Sequence, residues 1–248
     1  MPEHAPGRRL ESRRLAILSY HKIGNAPRGA WEPWNYVPEP MFVEQLRSVE
    51  QHGWQLVDLD AVLRGLSAPE TLSERSALIT FDDGYRSIVE RALPLMSEFG
   101  FPGVVFVPAA YVGRPSEFDA NVAEPQEPLC GWDELKELER AGISVQSHGF
   151  RHVPLSKIDT SQQEEELVRS KALLEEGLDK TVEAFAFPYG DGGADPARVS
   201  SALERCGYRA ACLYGGGPFA LPAADRYRLS RLAIGFETNL AEELARPP

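Results

Sequence analysis

Two short stretches carry residue types that could do hydrolytic chemistry together. Thr80-Phe81-Asp82-Asp83-Gly84-Tyr85 puts adjacent carboxylates after an apolar run, Ala77-Leu78-Ile79. Ser147-His148-Gly149-Phe150-Arg151-His152 puts two imidazoles four residues apart. Neighbouring carboxylates at a strand end are costly without something positive beside them, and a metal ion is the obvious candidate. Strand alternation would send Asp82 and Asp83 in different directions. A helical turn after residue 147 would stack His148 above His152. Taken singly, Asp-Asp-Gly is usually a turn with an Asx cap, and a histidine pair is usually surface or core. The chain has only five histidines, at 4, 21, 52, 148 and 152, so the combination is more specific than either motif. One carboxylate and two neutral imidazoles form an N/O ligand set that suits a catalytic zinc or another borderline divalent ion. Such an ion acidifies bound water and polarises a carbonyl, and the second aspartate is near enough to take a proton.

These residues need elements to hold them. Leu15 to His21 reads as a first strand that delivers His21 at its C-terminal end. Residues 22–38 form a long loop with Trp31, Trp34 and Tyr36. Helical spacing predicts a helix over 39–52, with His52 in its last turn and Gly53 ending it. A short strand at 54–57 and a short helix at 59–66 follow. The strand before Asp82 leads into a helix over 86–99 that Pro94 should bend. Further strands are predicted at 103–107, 143–147, 182–187, 208–213 and 228–234, with helices at 132–141, 160–177 and 196–206 between them. This alternation argues for parallel βαβ units. No glycine-rich dinucleotide fingerprint follows the first strand. About seven repeats fit an α/β barrel of one domain, and the polar candidates all fall at strand C-termini, the face where barrel active sites lie.

Composition narrows the function classes. At 248 residues, with 43% hydrophobic and 25% charged content, the chain is an ordinary globular sequence. Its net charge of -11 and lack of a basic stripe speak against a nucleic-acid partner. No apolar stretch is long enough for stable membrane insertion. Residues 1–13 read as a flexible arm ahead of a domain over 14–248. Three cysteines without a CxxC, and no signal-peptide core, predict a cytoplasmic protein with reduced thiols. The oligomeric state is not encoded legibly.

Phe185-Ala186-Phe187-Pro188-Tyr189-Gly190, with the Asp-Asp-Gly and two-histidine stretches, resembles the three leading motifs of the polysaccharide deacetylases. This is the NodB-homology group, carbohydrate esterase family 4, and the likeness runs from about Leu15 to Ile234. It implies a distorted (β/α)7 barrel and metal-dependent removal of an N-acetyl group from an amino sugar or N-acetylated glycan, releasing acetate. Carried over by position, Asp83, His148 and His152 would hold one divalent ion, zinc or else cobalt or nickel. Asp82 would be the general base, and Tyr189 would offer its backbone N–H to the oxyanion. Pro188 would stiffen that turn. Pro188 and Tyr85, and Trp34 and Tyr36 from the apolar character of the 22–38 loop, are the expected substrate contacts. Two departures stand out. Ala186 occupies the position of a family arginine that orients the base, and no histidine follows His152 to serve as the acid. The Tyr20-His21 pair resembles the branch acting on poly-N-acetylglucosamine, in which an early histidine is expected to take that role. Two alternatives stay open: an O-acetyl esterase or non-sugar amide or imide hydrolase on the same site, and a non-catalytic glycan-binding barrel.

Overall fold

The computed structural model describes residues 13–122 and 125–247, and the side chains of residues 119, 121 and 122 lie outside that description. The expected arm therefore falls outside the described residues except for Arg13, whose carbonyl accepts a bond from Leu221 N at 2.8 Å.

Seven parallel staves run in chain order around one ring. They are β1 (Arg14–Tyr20), β2 (Arg75–Phe81), β3 (Gly103–Val107), β4 (Ile143–Ser147), β5 (Ala184–Ala186), β6 (Ala210–Cys212) and β7 (Leu232–Ala233). Pairing proceeds from β1 to β6 without a crossing, with Tyr20 beside Phe81, Phe81 beside Val105, Val107 beside Ser147 and Ala186 beside Cys212. Closure comes from the segment leading into β7. Leu229 bridges Cys212 on one side, and Leu232 and Ala233 pair with Leu18 and Ser19 on the other. One bridge and a two-residue strand make this the weak seam, which is the distortion in the barrel.

Side-chain alternation sorts the staves into two cores. Leu15, Ile17, Leu78, Val104 and Phe106 cluster with Ala184, Ala186, Ala210 and Cys212 inside the ring, where α2 (Leu59–Gly65) plugs the end at which the strands begin. The opposite parity, including Leu18, Ile79, Val105 and Val145, packs outward against helices. Those helices are α1 (Glu39–Gln51), α3 (Leu93–Phe99), α4 (Trp132–Arg140), α5 (Thr160–Leu178), α6 (Pro196–Arg205) and α7 (Leu240–Ala245). The single helix expected at 86–99 is instead a wide π turn over Ile88–Ala92 followed by α3, with Pro94 in the first turn of α3. Proline has no N–H to give the preceding turn, so the change of helix type falls there. Among the described residues no helix is long and apolar enough to cross a membrane.

Candidate active site

Continuing the inward row of β2 beyond Leu78 gives Thr80 and then Asp82, and the inward row of the closing segment gives Arg231. They meet at the C-terminal mouth of the barrel. Arg231 donates from Nη1 to Asp82 Oδ1 at 2.6 Å and from Nη2 to Asp82 Oδ2 at 2.7 Å. Its Nε donates to Leu213 O at 2.7 Å, and it has no solvent exposure. Burial alone would raise the Asp82 pKa, but the charge of Arg231 and its hydrogen bonds hold it below the ordinary range. Asp82 is therefore an anion with both oxygens oriented by a planar fork. An arginine does reach this carboxylate, from the segment leading into β7 and not from position 186. Ala186, small and inward on β5, cannot play that part.

Asp82 and Asp83 do not diverge as strand alternation predicts. The strand ends at Phe81, and Asp83 (φ 70°) and Gly84 (φ 72°) are left-handed, which folds the second carboxylate back over the mouth. His148 Nε2 lies 4.0 Å from Asp82 Oδ2 and 3.5 Å from Asp83 Oδ1. His152 Nε2 lies 3.1 Å from Asp83 Oδ1. The histidine segment is not helical either. Gly149 (φ 80°) and His152 (φ 56°) turn it through left-handed backbone, and this loop, not a helix face, brings the imidazoles together. Three of the four non-glycine residues with positive φ among the described residues are Asp83, His152 and Tyr189. Strained backbone gathers where the surrounding structure over-determines it, commonly at functional sites.

The donor set fits a divalent ion. One ligand atom from each of Asp83, His148 and His152 lies within 4.8 Å of the others, and all three residues are buried. The two short separations bracket the edge of a tetrahedron with ligand bonds of about 2.1 Å, roughly 3.4 Å. Asp83 Oδ1 is buried without a hydrogen-bond partner among the described residues, as an oxygen reserved for an ion would be. His148 Nδ1 sits 2.8 Å from Ala186 O, which makes Nδ1 the donor and turns the Nε2 lone pair to the site. Burial pushes the His148 pKa down to about 4, partly offset by Asp82, so the ring is neutral as a ligand must be.

These groups line a cavity of about 280 Å³ together with His21, Lys22, Trp31, Glu32, Asn35, Tyr85, Tyr189, Gly190 and Tyr214. His21 stands at the end of β1, as expected, with its ring edge-on to Tyr214 at 5.5 Å and a buried Nδ1 that has no hydrogen-bond partner among the described residues. Tyr189 is 58% exposed and its ring lies 4.7 Å from that of His152. Gly190 (φ 70°) follows it, and a Cβ there would fall 2.7 Å from Tyr214 Cβ, so glycine lets two loops touch at the rim. Trp34, Tyr36 and Pro188 are not in the lining. Trp34 covers Gly235, where a Cβ would come within 2.2 Å of the indole. Tyr36 is buried, donates to Glu127 and accepts from Lys22 at 3.1 Å. Pro188 is buried behind the histidine loop, near Gly149. The aromatic that does reach the mouth from the 22–38 loop is Trp31, 64% exposed. His52 caps α1 through Ser48 O at 2.8 Å, away from the cavity, and His4 lies outside the described residues.

Sequence reasoning missed Arg231, Lys22, Glu32, Asn35 and Tyr214. For Arg231 there was a signal: a cation inside the apolar run Leu229 to Ile234 has to find a buried partner.

The description of the polysaccharide deacetylase family matches residues 69–211, more than half of the chain. That span takes in both aspartates, both histidines of the loop and Tyr189, and leaves His21 and Arg231 outside. The Bacillus subtilis polysaccharide deacetylase-family protein YxkH is 27% identical over 198 residues, which cover 79% of this chain and 63% of that protein. The chain thus spans less than two thirds of that relative. The poly-beta-1,6-N-acetyl-D-glucosamine N-deacetylase of Staphylococcus epidermidis is 24% identical over 262 residues, covering 94% of this chain and 84% of that protein. The Streptococcus pyogenes deacetylase PplD, solved in complex with acetate, shares the fold. Its TM-score is 0.79 at 21% identity, over 95% of this chain and all of that one (100%).

Proposed function

Because the chain belongs to the polysaccharide deacetylase family, we propose that it hydrolyses the N-acetyl group of an amino sugar in a glycan or glycoconjugate. The products are acetate and a free amine. The observation that carries the reading is a buried, arginine-held Asp82 facing the same small cavity as the Asp83, His148 and His152 donors.

Asp83, His148 and His152 hold a divalent ion, zinc by the donor set, with cobalt or nickel able to replace it. When bound, that ion supplies a Lewis acid for the acetyl carbonyl and lowers the pKa of nearby water. Asp82 takes a proton from the attacking water. A carboxylate held below its ordinary pKa is a weak base, so it suits water already acidified. Tyr189 offers its backbone N–H to the developing oxyanion. His21, across the cavity, protonates the departing amine. Trp31 and Tyr189, the two exposed aromatics at the mouth, present flat apolar faces on which a sugar ring can stack.

A substrate panel tests this. Purified protein loaded with zinc is given β-1,6-linked N-acetylglucosamine oligomers, O-acetylated xylo-oligomers and a cyclic imide, and acetate or ring opening is measured. Turnover of the first in preference to the others is expected, and preference for either of the others refutes the bond or substrate class. Two departures motivate a non-catalytic barrel, the absent arginine at position 186 and the absent histidine after His152; Arg231 beside Asp82 speaks against the first, and the His21→Ala comparison tests the second.

A further inference from the structure

The two loop histidines are held by different means. His148 is fixed twice: its backbone N–H donates to Val107 O at 2.9 Å, and its ring Nδ1 is tied to Ala186 O. His152 has neither support. Among the described residues its buried Nδ1 has no hydrogen-bond partner, and its ring is steadied by contact with Phe118 (4.2 Å) and Tyr189 (4.7 Å). Its left-handed backbone is costly for a residue with a Cβ and persists only where the neighbouring chain imposes it.

That imposition comes from Glu166, on the inner face of α5. The carboxylate is almost fully buried, with 1% side-chain exposure. Oε2 accepts from Phe150 N and from Arg151 N, both at 2.8 Å, and Oε1 accepts from Arg151 Nε at 2.8 Å. Two successive amides aimed at one oxygen fix the 149–150 and 150–151 peptides, one residue ahead of His152, and a loop of converging amides is a natural seat for an anion. The carbonyls of Gly149 and Phe150 are held from the other side by Ala109 N and Ala110 N, at 3.0 and 2.9 Å. The Phe150–Arg151 peptide is thus held from both sides, by Glu166 at its N–H and by Ala110 at its carbonyl.

We infer that Glu166 is a positioning residue for the metal centre, acting through the 149–152 backbone to place His152 and not His148. The inference rests on the Asp83–His148–His152 reading above. Metal-site partners beyond the ligands typically cost about 10- to 100-fold in affinity when removed. Glu166→Ala should weaken zinc binding by a factor in that range, and Glu166→Gln, whose carbonyl can still accept both amides, should lose less. Arg151→Ala leaves both amide bonds and should cost less zinc affinity than Glu166→Ala, while lowering stability because the buried carboxylate loses its charged partner.

The experiment is zinc affinity of the full-length chain by competition with a chromophoric chelator, with an unfolding curve for each variant. In a His148→Ala background, removal of Glu166 should still cost its full factor. In a His152→Ala background it should cost nothing further, since coupling appears only between groups that act together. Wild-type affinity in both folded Glu166 variants overturns the inference, and so does an equal loss in the two histidine backgrounds. If Glu166→Ala does not fold, Glu166→Gln carries the same comparison. Absence of zinc binding by the wild type overturns the metal-centre reading and the inference with it.

Discussion

Replacing Arg231 is the most informative perturbation of the base. Its guanidinium makes two bonds of 2.6 and 2.7 Å to Asp82, both partners are buried, and a third bond of 2.7 Å reaches Leu213 O. Breaking a pair of this kind from one side leaves an uncompensated buried charge and costs about 3–5 kcal/mol. Arg231→Ala tests that cost, and Arg231→Lys keeps the charge but loses the planar fork. In the wild type Asp82 is held below its ordinary pKa, so its contribution to stability is present above the unfolded value, near 3.9, and lost as pH falls through the folded value. In Arg231→Ala burial acts with less opposition, and the Asp82 pKa rises. The stability gap to wild type should then be widest at neutral pH and should narrow as acidification neutralises the stranded carboxylate. For catalysis, Arg231→Lys should lower kcat about 10- to 100-fold by misplacing the base, with KM little changed. The acid limb of the kcat/KM profile should move to higher pH. The assay is acetate release against pH beside thermal unfolding of the same samples. Folded Arg231 variants with kcat within about twofold of wild type and an unmoved acid limb would refute the role given to the Asp82–Arg231 pair.

Other predictions follow from the same geometry. In metal-free protein His148 is buried neutral with its pKa pushed down to about 4, so unfolded chains take up a proton first on acidification. Stability of the apo form should fall between about pH 6.5 and 4 and level off for this group below that, and His148→Ala should remove that slope in urea unfolding across the range. His21→Ala should slow N-acetyl hydrolysis about 10²- to 10⁴-fold yet spare p-nitrophenyl acetate, whose leaving group needs no proton. Equal losses on both substrates would contradict an acid role. Trp31→Ala, at a residue 64% exposed, should leave unfolding unchanged and raise KM for oligomers several-fold with kcat intact, which steady-state kinetics on oligomers of increasing length would measure.

The sequence carried most of the barrel because its apolar runs have strand length and alternate with helical spacing. What it could not carry was closure. Leu229 and Leu232–Ala233 complete the ring through one bridge and a two-residue strand, a long-range pairing that local pattern does not announce. The chemistry-bearing residues were legible by type, while their convergence was derived from the wrong local geometry. Strand alternation and a helical turn are right-handed, ordinary conformations, and the site is built from left-handed ones at Asp83, Gly149 and His152. Ala186 looked like a loss because a side chain's partner was sought at the same sequence position. In the folded chain an inward position on the closing segment reaches the same carboxylate. Trp34 and Tyr36 illustrate the converse: an aromatic in a functional loop can be engaged by its neighbours, Trp34 by Gly235 and the buried Tyr36 by Glu127, and of the three Trp31 is the one at the mouth.

The central claim is that Asp82 works as the base beside an ion held by its neighbours. Its most direct test is acetate release from an N-acetylglucosamine oligomer by wild type and Asp82→Asn, with bound zinc measured in the same preparations. The account predicts about one zinc per chain in both proteins, stoichiometric acetate and free amine from the wild type, and a loss of at least about 10²-fold in the variant. Wild-type turnover in a zinc-loaded Asp82→Asn, or no acetate from a zinc-loaded wild type, would contradict it.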